Sequence, residues 1–232
     1  MAENKGLHDG HRDRVREKFL EDGLDKFRDH EVLELMLFYA IPRKDTNEIA
    51  HKLINRFGSF SSVLDADFDS ITECGISKNA AVFLKLFPSV CARYYKDRYE
   101  NDHSKDDPPG IGEAIMHYFI GVNEEQVVLM LLDPKGREVY CDVISKGTIS
   151  ASEVNIKKIL QLAVKYKASG AVIAHNHPSG IPLPSDSDVK VTIALKNSLR
   201  SIGVILYDHI IVAEMEYVSM SDMEEYYELF LI

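Results

Sequence analysis

The sequence predicts an α/β protein in which a small all-helical domain precedes a larger domain built on a mixed sheet. Three observations lead there. Residues 8–95 place apolar side chains at helical spacing between cap and stop signals. Residues 97–110, DRYENDHSKDDPPG, are charged and end in Pro-Pro-Gly, the composition of a linker. Beyond them strand-like apolar runs alternate with helical patterns, which implies helices layered on a sheet. The expected division is residues 1–96 helical, 97–109 linker and 110–232 α/β.

Taken in order, HRDRVREKFLEDG reads as a helix closed by Gly23. DHEVLELMLFYAI opens on Asp29 and stops before Pro42. DTNEIAHKLINRFG sets Ile49, Leu53 and Phe57 four apart and ends at Gly58. SKNAAVFLKLFPSVCARYY opens with Ser77 as a cap, and Pro88 predicts a kink. In the second half, QVVLMLLD is an unbroken aliphatic run, suited to a strand covered on both faces. DPKG is a turn, and REVYCDVIS alternates as the returning strand. SEVNIKKILQLAVKYKA reads as an amphipathic helix with Val154, Ile159, Leu162 and Val164 on its apolar face. SGAVIAHNH is a short strand, SDVKVTIALKNSLRSIG a helix closed by Gly203, and VILYDHIIVA and EYVSM are strands. SDMEEYYELF is expected as a final helix.

The bulk properties exclude several classes. A 45% hydrophobic content over 232 residues supports packed cores rather than disorder. The formal charge of -10 argues against a surface that grips nucleic acid everywhere. That charge divides into -2 for residues 1–100 and -8 for the rest, so only the helical half can present a basic face. Cys74, Cys91 and Cys141 form no CxxC pair and read as reduced thiols. No apolar run reaches membrane-spanning length, and the first residues carry no apolar signal core. A cytoplasmic protein is expected.

The chemistry concentrates in AHNHPSGIPLPSDSD, residues 174–188. His175 and His177 stand two apart, so at a strand end their side chains share one side. Asp188 follows His177 after ten residues of loop and helix start, and a loop of that length can fold back to it. Two imidazoles and a carboxylate leave a fourth position open on tetrahedral Zn²⁺, as catalytic zinc sites do. A hydrolytic site further needs a general base and an oxyanion donor. Glu125, or its neighbour Glu124, offers the base at the head of the aliphatic strand, and Ser185 lies one helical turn before Asp188. PSDSD is equally a helix start, with Ser185 as N-cap and Asp188 satisfying orphan N–H groups. His209 is either an outer partner of the site or a satisfied core residue, and Asn176 supports the loop by hydrogen bonding. The six other histidines are scattered and take no role. A zinc nucleobase deaminase needs H-x-E followed by P-C-x-x-C, and neither is present.

This His-x-His, ten residues, Asp pattern, with Ser three before the Asp, resembles the JAMM (MPN-type) metallopeptidase signature. With LLD before it and DHIIV after, the chain more narrowly resembles the bacterial RadC family over almost its whole length. The resemblance implies a cytidine-deaminase-like mixed sheet, His175, His177 and Asp188 as Zn²⁺ ligands, Glu125 as general acid/base and Ser185 as oxyanion stabiliser. It implies hydrolysis of a peptide or isopeptide bond in a peptide or protein substrate. SVLDADFDSITECGISKNAAVFLKLF is similar to the helix-hairpin-helix module of RadC-type proteins, with the hairpin's Gly-x-Gly present as Gly75-Ile76-Ser77. A hairpin of that kind donates N–H groups to phosphate, so DNA is the alternative partner, in a repair or recombination accessory role with a minor or silent metal site.

Overall fold

The computed structural model describes residues 10–101, 110–147, 155–178, 180–214 and 216–231. The chain forms two compact units, Met1–Val90 and Cys91–Ile232.

The first unit is helical throughout its described residues. Helices α1 (His11–Asp22), α2 (Asp29–Ala40) and α3 (Asn47–Phe57) are followed by two short ones, α4 (Phe60–Asp65) and α5 (Phe68–Glu73), and by the start of α6 (Lys78–Asn101). The short helices begin where a side chain satisfies an orphan amide: Ser59 Oγ accepts from Ser62 N, and Asp67 Oδ1 from Ser70 N. Leu33, Leu37, Leu53, Ile71 and Leu84 close a core around Ala50 and Ala80. The expected hairpin corresponds to α5, the turn at Gly75 (φ +85°) and the head of α6. Helix α6 continues through Pro88 to Asn101, so it enters the stretch read as linker; residues 102–109 lie outside the described residues.

The second unit carries a five-stranded sheet in the order β2-β1-β3-β4-β5, with β1 (Gln126–Leu132), β2 (Glu138–Lys146), β3 (Gly170–Asn176), β4 (Ile205–Ala213) and β5 (Glu216–Ser219). Only β3 and β4 run parallel; the other neighbours are antiparallel. Alternation along β1 and β3 sorts side chains onto two faces. Val127, Leu129, Leu131, Ala171 and Ile173 meet α8 (Ile156–Lys165) and α9 (Asp186–Arg200). Val128, Met130, Val172 and Ala174 meet α7 (Ile111–Met116) and Phe119. This two-sided cover explains why β1 is apolar at nearly every position.

Two expectations are corrected. Val164 is 64% exposed rather than on the apolar face of α8. It lies about 140° around the helix from the fully buried Ile159, whereas Ala163 lies about 40° away and is buried in its place. SDMEEYYELF is not an α-helix but two 3-10 turns, Met220–Asp222 and Tyr227–Phe230. Tyr226 N bonds Met223 O and Leu229 N bonds Tyr226 O, each reaching back three residues, the spacing of a 3-10 turn. The head of α8 falls at Asn155, whose side chain caps Lys158 N; the part of that expected helix before it, with Val154, lies outside the described residues. No helix among the described residues is long and apolar enough to cross a membrane.

Candidate metal centre

Strand β3 delivers His175 to the face covered by α9, because Ala171, Ile173 and His175 alternate to that side. His177 follows one step past the strand end and remains paired to β4 through its N–H to Val212 O (2.7 Å). Helix α9 starts over the same edge. Its first turn brings Asp188 to His175 and its second brings Thr192 to His209 of β4. One ligand atom from each of His175, His177 and Asp188 falls within 4.8 Å of the others. The spacing expected from the sequence is therefore realised as a cluster.

The hydrogen bonds assign the protons. Thr192 Oγ1 donates to Asp188 O (2.6 Å), since a carbonyl can only accept. The same oxygen lies 2.6 Å from His209 Nδ1, which must then be the donor. His209 is fully enclosed, and burial pushes its pKa down to about 3, so it is neutral and its Nε2 is an acceptor. His175 Nδ1, 2.8 Å away, consequently donates to it, which leaves Nε2 as the His175 nitrogen that faces the cluster. On the other ring, His177 Nδ1 donates to Ile181 O (3.0 Å), which leaves Nε2 of its neutral form as a lone pair.

These two Nε2 atoms face each other at 2.9 Å, with Asp188 Oδ1 3.2 Å from the first and Oδ2 3.4 Å from the second. With both rings in their neutral form, the three facing atoms supply no donor. Such an arrangement is stable only around a positive charge, a proton or a metal ion, and the donor set of two imidazoles and a carboxylate fits a divalent first-row metal. Without metal, the pair holds a proton. The hydrogen bond to Asp188 raises the pKa of His177 against the opposing effect of burial. For Asp188, burial pushes the pKa up, but its contacts with the His175 and His177 imidazoles more than offset this and hold the carboxyl far below its usual range.

Ser185 is the N-cap of α9, and with Asp188 it forms a capping box. Asp188 Oδ2 accepts from both Ser185 N and Ser185 Oγ (2.7 Å each), and Ser185 Oγ accepts from Asp188 N (3.2 Å). The capping reading of PSDSD is thus realised in one turn, and Asp188 Oδ1, the oxygen free of Ser185, is the one beside His175.

Glu125 immediately precedes β1 and is half-buried, while Glu124 is exposed. Val127 pairs with His175 at the end of the β1–β3 ladder, and Glu125 stands two residues before Val127, the spacing that returns to the same face. The Glu125 charge also contributes to the raised pKa of His177. His209 is an outer partner of the cluster, as one of its two sequence readings held. Thr192 escaped notice in the sequence; its signal was its position four after Asp188, on the same helical face.

Comparison with known proteins agrees with this geometry. Residues 106–226 match the profile of the family described as RadC-like JAB domain. A UPF0758 protein of Fusobacterium nucleatum subsp. nucleatum is 35% identical over 218 residues, covering 90% of this chain and 94% of that protein.

Proposed function

The chain belongs to the RadC family of proteins with a JAB/MPN-type domain, and on that premise we propose that it is a zinc-dependent hydrolase acting on a peptide or isopeptide bond. The observation that carries the proposal is the convergence of two imidazole nitrogens and a carboxylate oxygen within 4.8 Å of one another.

His175, His177 and Asp188 hold the metal. Bound there, Zn²⁺ supplies a Lewis acid that acidifies water and polarises a carbonyl. Three protein ligands leave room for substrate, unlike the four of a closed structural site. Glu125 is the base: its carboxylate takes a proton from the attacking water and returns it to the leaving nitrogen. Its half-buried place, from which its charge acts on His177, favours it over the exposed Glu124. Ser185 Oγ–H is the oxyanion donor once it turns from Asp188 Oδ2; the Ser185 N–H keeps that oxygen bonded meanwhile.

The test compares wild type with Glu125→Gln on a panel of fluorogenic peptide and isopeptide probes, with metal content measured on both. Retained zinc and lost hydrolysis in Glu125→Gln is the expected result. Absence of zinc from both, even after it is supplied, or hydrolysis unchanged in the variant, refutes the reading.

A further inference from the structure

Asn176 lies between the two candidate histidine ligands, yet its side chain does not join them. It is 5% exposed and crosses to β1. Asn176 Oδ1 accepts from Gln126 N (2.8 Å), and Asn176 Nδ2 donates to Glu124 O (3.0 Å). These are the two backbone groups on either side of Glu125. One contact needs an acceptor and the other a donor, which fixes the orientation of the amide.

The main-chain pairing of β1 with β3 ends at Val127 and His175. At the next position the Asn176 side chain takes over the cross-strand role. The Gln126 side chain is anchored in turn by its Nε2–H to Tyr118 O. The backbone on both sides of Glu125 is therefore pinned to the residue that sits between His175 and His177. A displacement of the ligand strand carries the Glu125 backbone with it.

We propose that Asn176 is the positioning residue for Glu125, setting the aim of its carboxylate relative to the metal; the inference rests on the role given to Glu125 above. Only a side chain with a donor and an acceptor on one short planar group makes both contacts. Aspartate keeps the shape but cannot donate to Glu124 O, and alanine makes neither bond.

The experiment uses the full chain loaded with Co²⁺, whose visible absorption reports the groups around the ion. Asn176→Asp, Asn176→Ala, Glu125→Gln and the double variant Glu125→Gln/Asn176→Ala are compared with wild type, and amide exchange at Gln126 is followed in the metal-free proteins. Both Asn176 variants are expected to bind one Co²⁺ with little change in affinity. Their spectra should shift as that of Glu125→Gln does, and the double variant should show no further shift. The Gln126 amide should lose protection in Asn176→Ala and keep it better in Asn176→Asp. Where hydrolysis is measurable, kcat should fall roughly 10- to 100-fold with KM unchanged, the scale of a misplacement of about 1 Å. If Glu125→Gln shifts the spectrum but the Asn176 variants do not, or if the shifts add in the double variant, the positioning role is overturned while the hydrolase reading stands. If Glu125→Gln itself leaves the Co²⁺ spectrum unchanged, the role of Glu125 fails and this inference with it.

Discussion

Thr192→Val removes one oxygen from the buried chain that sets the imidazole tautomers. In the wild type, Thr192 Oγ1 spends its proton on Asp188 O and so obliges His209 to carry its own on Nδ1. With valine there, His209 is free to carry the proton on Nε2 and give it to His175 Nδ1. His175 must then carry its proton on Nε2, pointing into the cluster, where it blocks a metal. Metal binding has to reverse both tautomers and leave His209 Nδ1–H buried with no acceptor. An unsatisfied buried donor costs about 1–3 kcal/mol. At about 1.4 kcal/mol per decade this weakens zinc binding roughly 5- to 140-fold, in line with the roughly 10- to 100-fold known for outer partners of metal ligands. The assay is competition for zinc against a chromophoric chelator at neutral pH. The metal-free variant relaxes its tautomers, so its Tm should fall less than that of the loaded protein, which separates this effect from a packing defect. Thr192→Ser keeps the hydroxyl and should bind zinc nearly as the wild type does. Wild-type affinity in Thr192→Val would refute the tautomer chain.

Three further outcomes follow from the same geometry. The folded pKa of His177 lies above its unfolded value, so its stabilising contribution is full below about pH 6.5 and is lost as pH rises through the folded value. That of Asp188 lies below its unfolded value, so its contribution is present above about pH 3.9 and is lost on acidification through the folded value. The Tm of the metal-free protein should accordingly decline as pH rises above about 6.5 in its His177-dependent part, a decline missing in His177→Ala, while the Tm gain from added zinc rises, because zinc displaces the proton (affinity up to roughly tenfold per pH unit). Ser185→Ala loses the α9 cap and should destabilise the metal-free protein by about 0.5–2 kcal/mol in urea titration, with zinc still bound because Ser185 N–H to Asp188 Oδ2 survives. Leu129→Ala, at a fully buried position of β1 facing α8 and α9, should cost about 2–5 kcal/mol by the same measurement without changing metal stoichiometry.

How much of this was legible in the sequence depends on the range of the interaction. The strands were readable because two-sided burial makes β1 and β3 apolar over most of their length, and α9 because Ser185 and Asp188 announce a capped start. The helix assigned to residues 221–230 failed because ten residues are too few for intrinsic propensity to hold a helix, and contacts elsewhere chose a tighter turn. His175, His177 and Asp188 were legible as a set because strand alternation and one loop fix their mutual geometry. Which of Glu124 and Glu125 is half-buried beside the cluster was not, because adjacent residues differ only in the face they take, and that face is set by pairing with a strand some fifty residues away. Thr192 was hidden, and His209 kept two readings, for a related reason: each is ordinary on its own element, and only the packing of α9 against β4 makes one the acceptor for the other. Sequence spacing can show which atoms are able to meet an ion. Which nitrogen carries a proton when they meet depends on side chains brought from other elements, and here that proton decides whether the cluster offers the ion a lone pair.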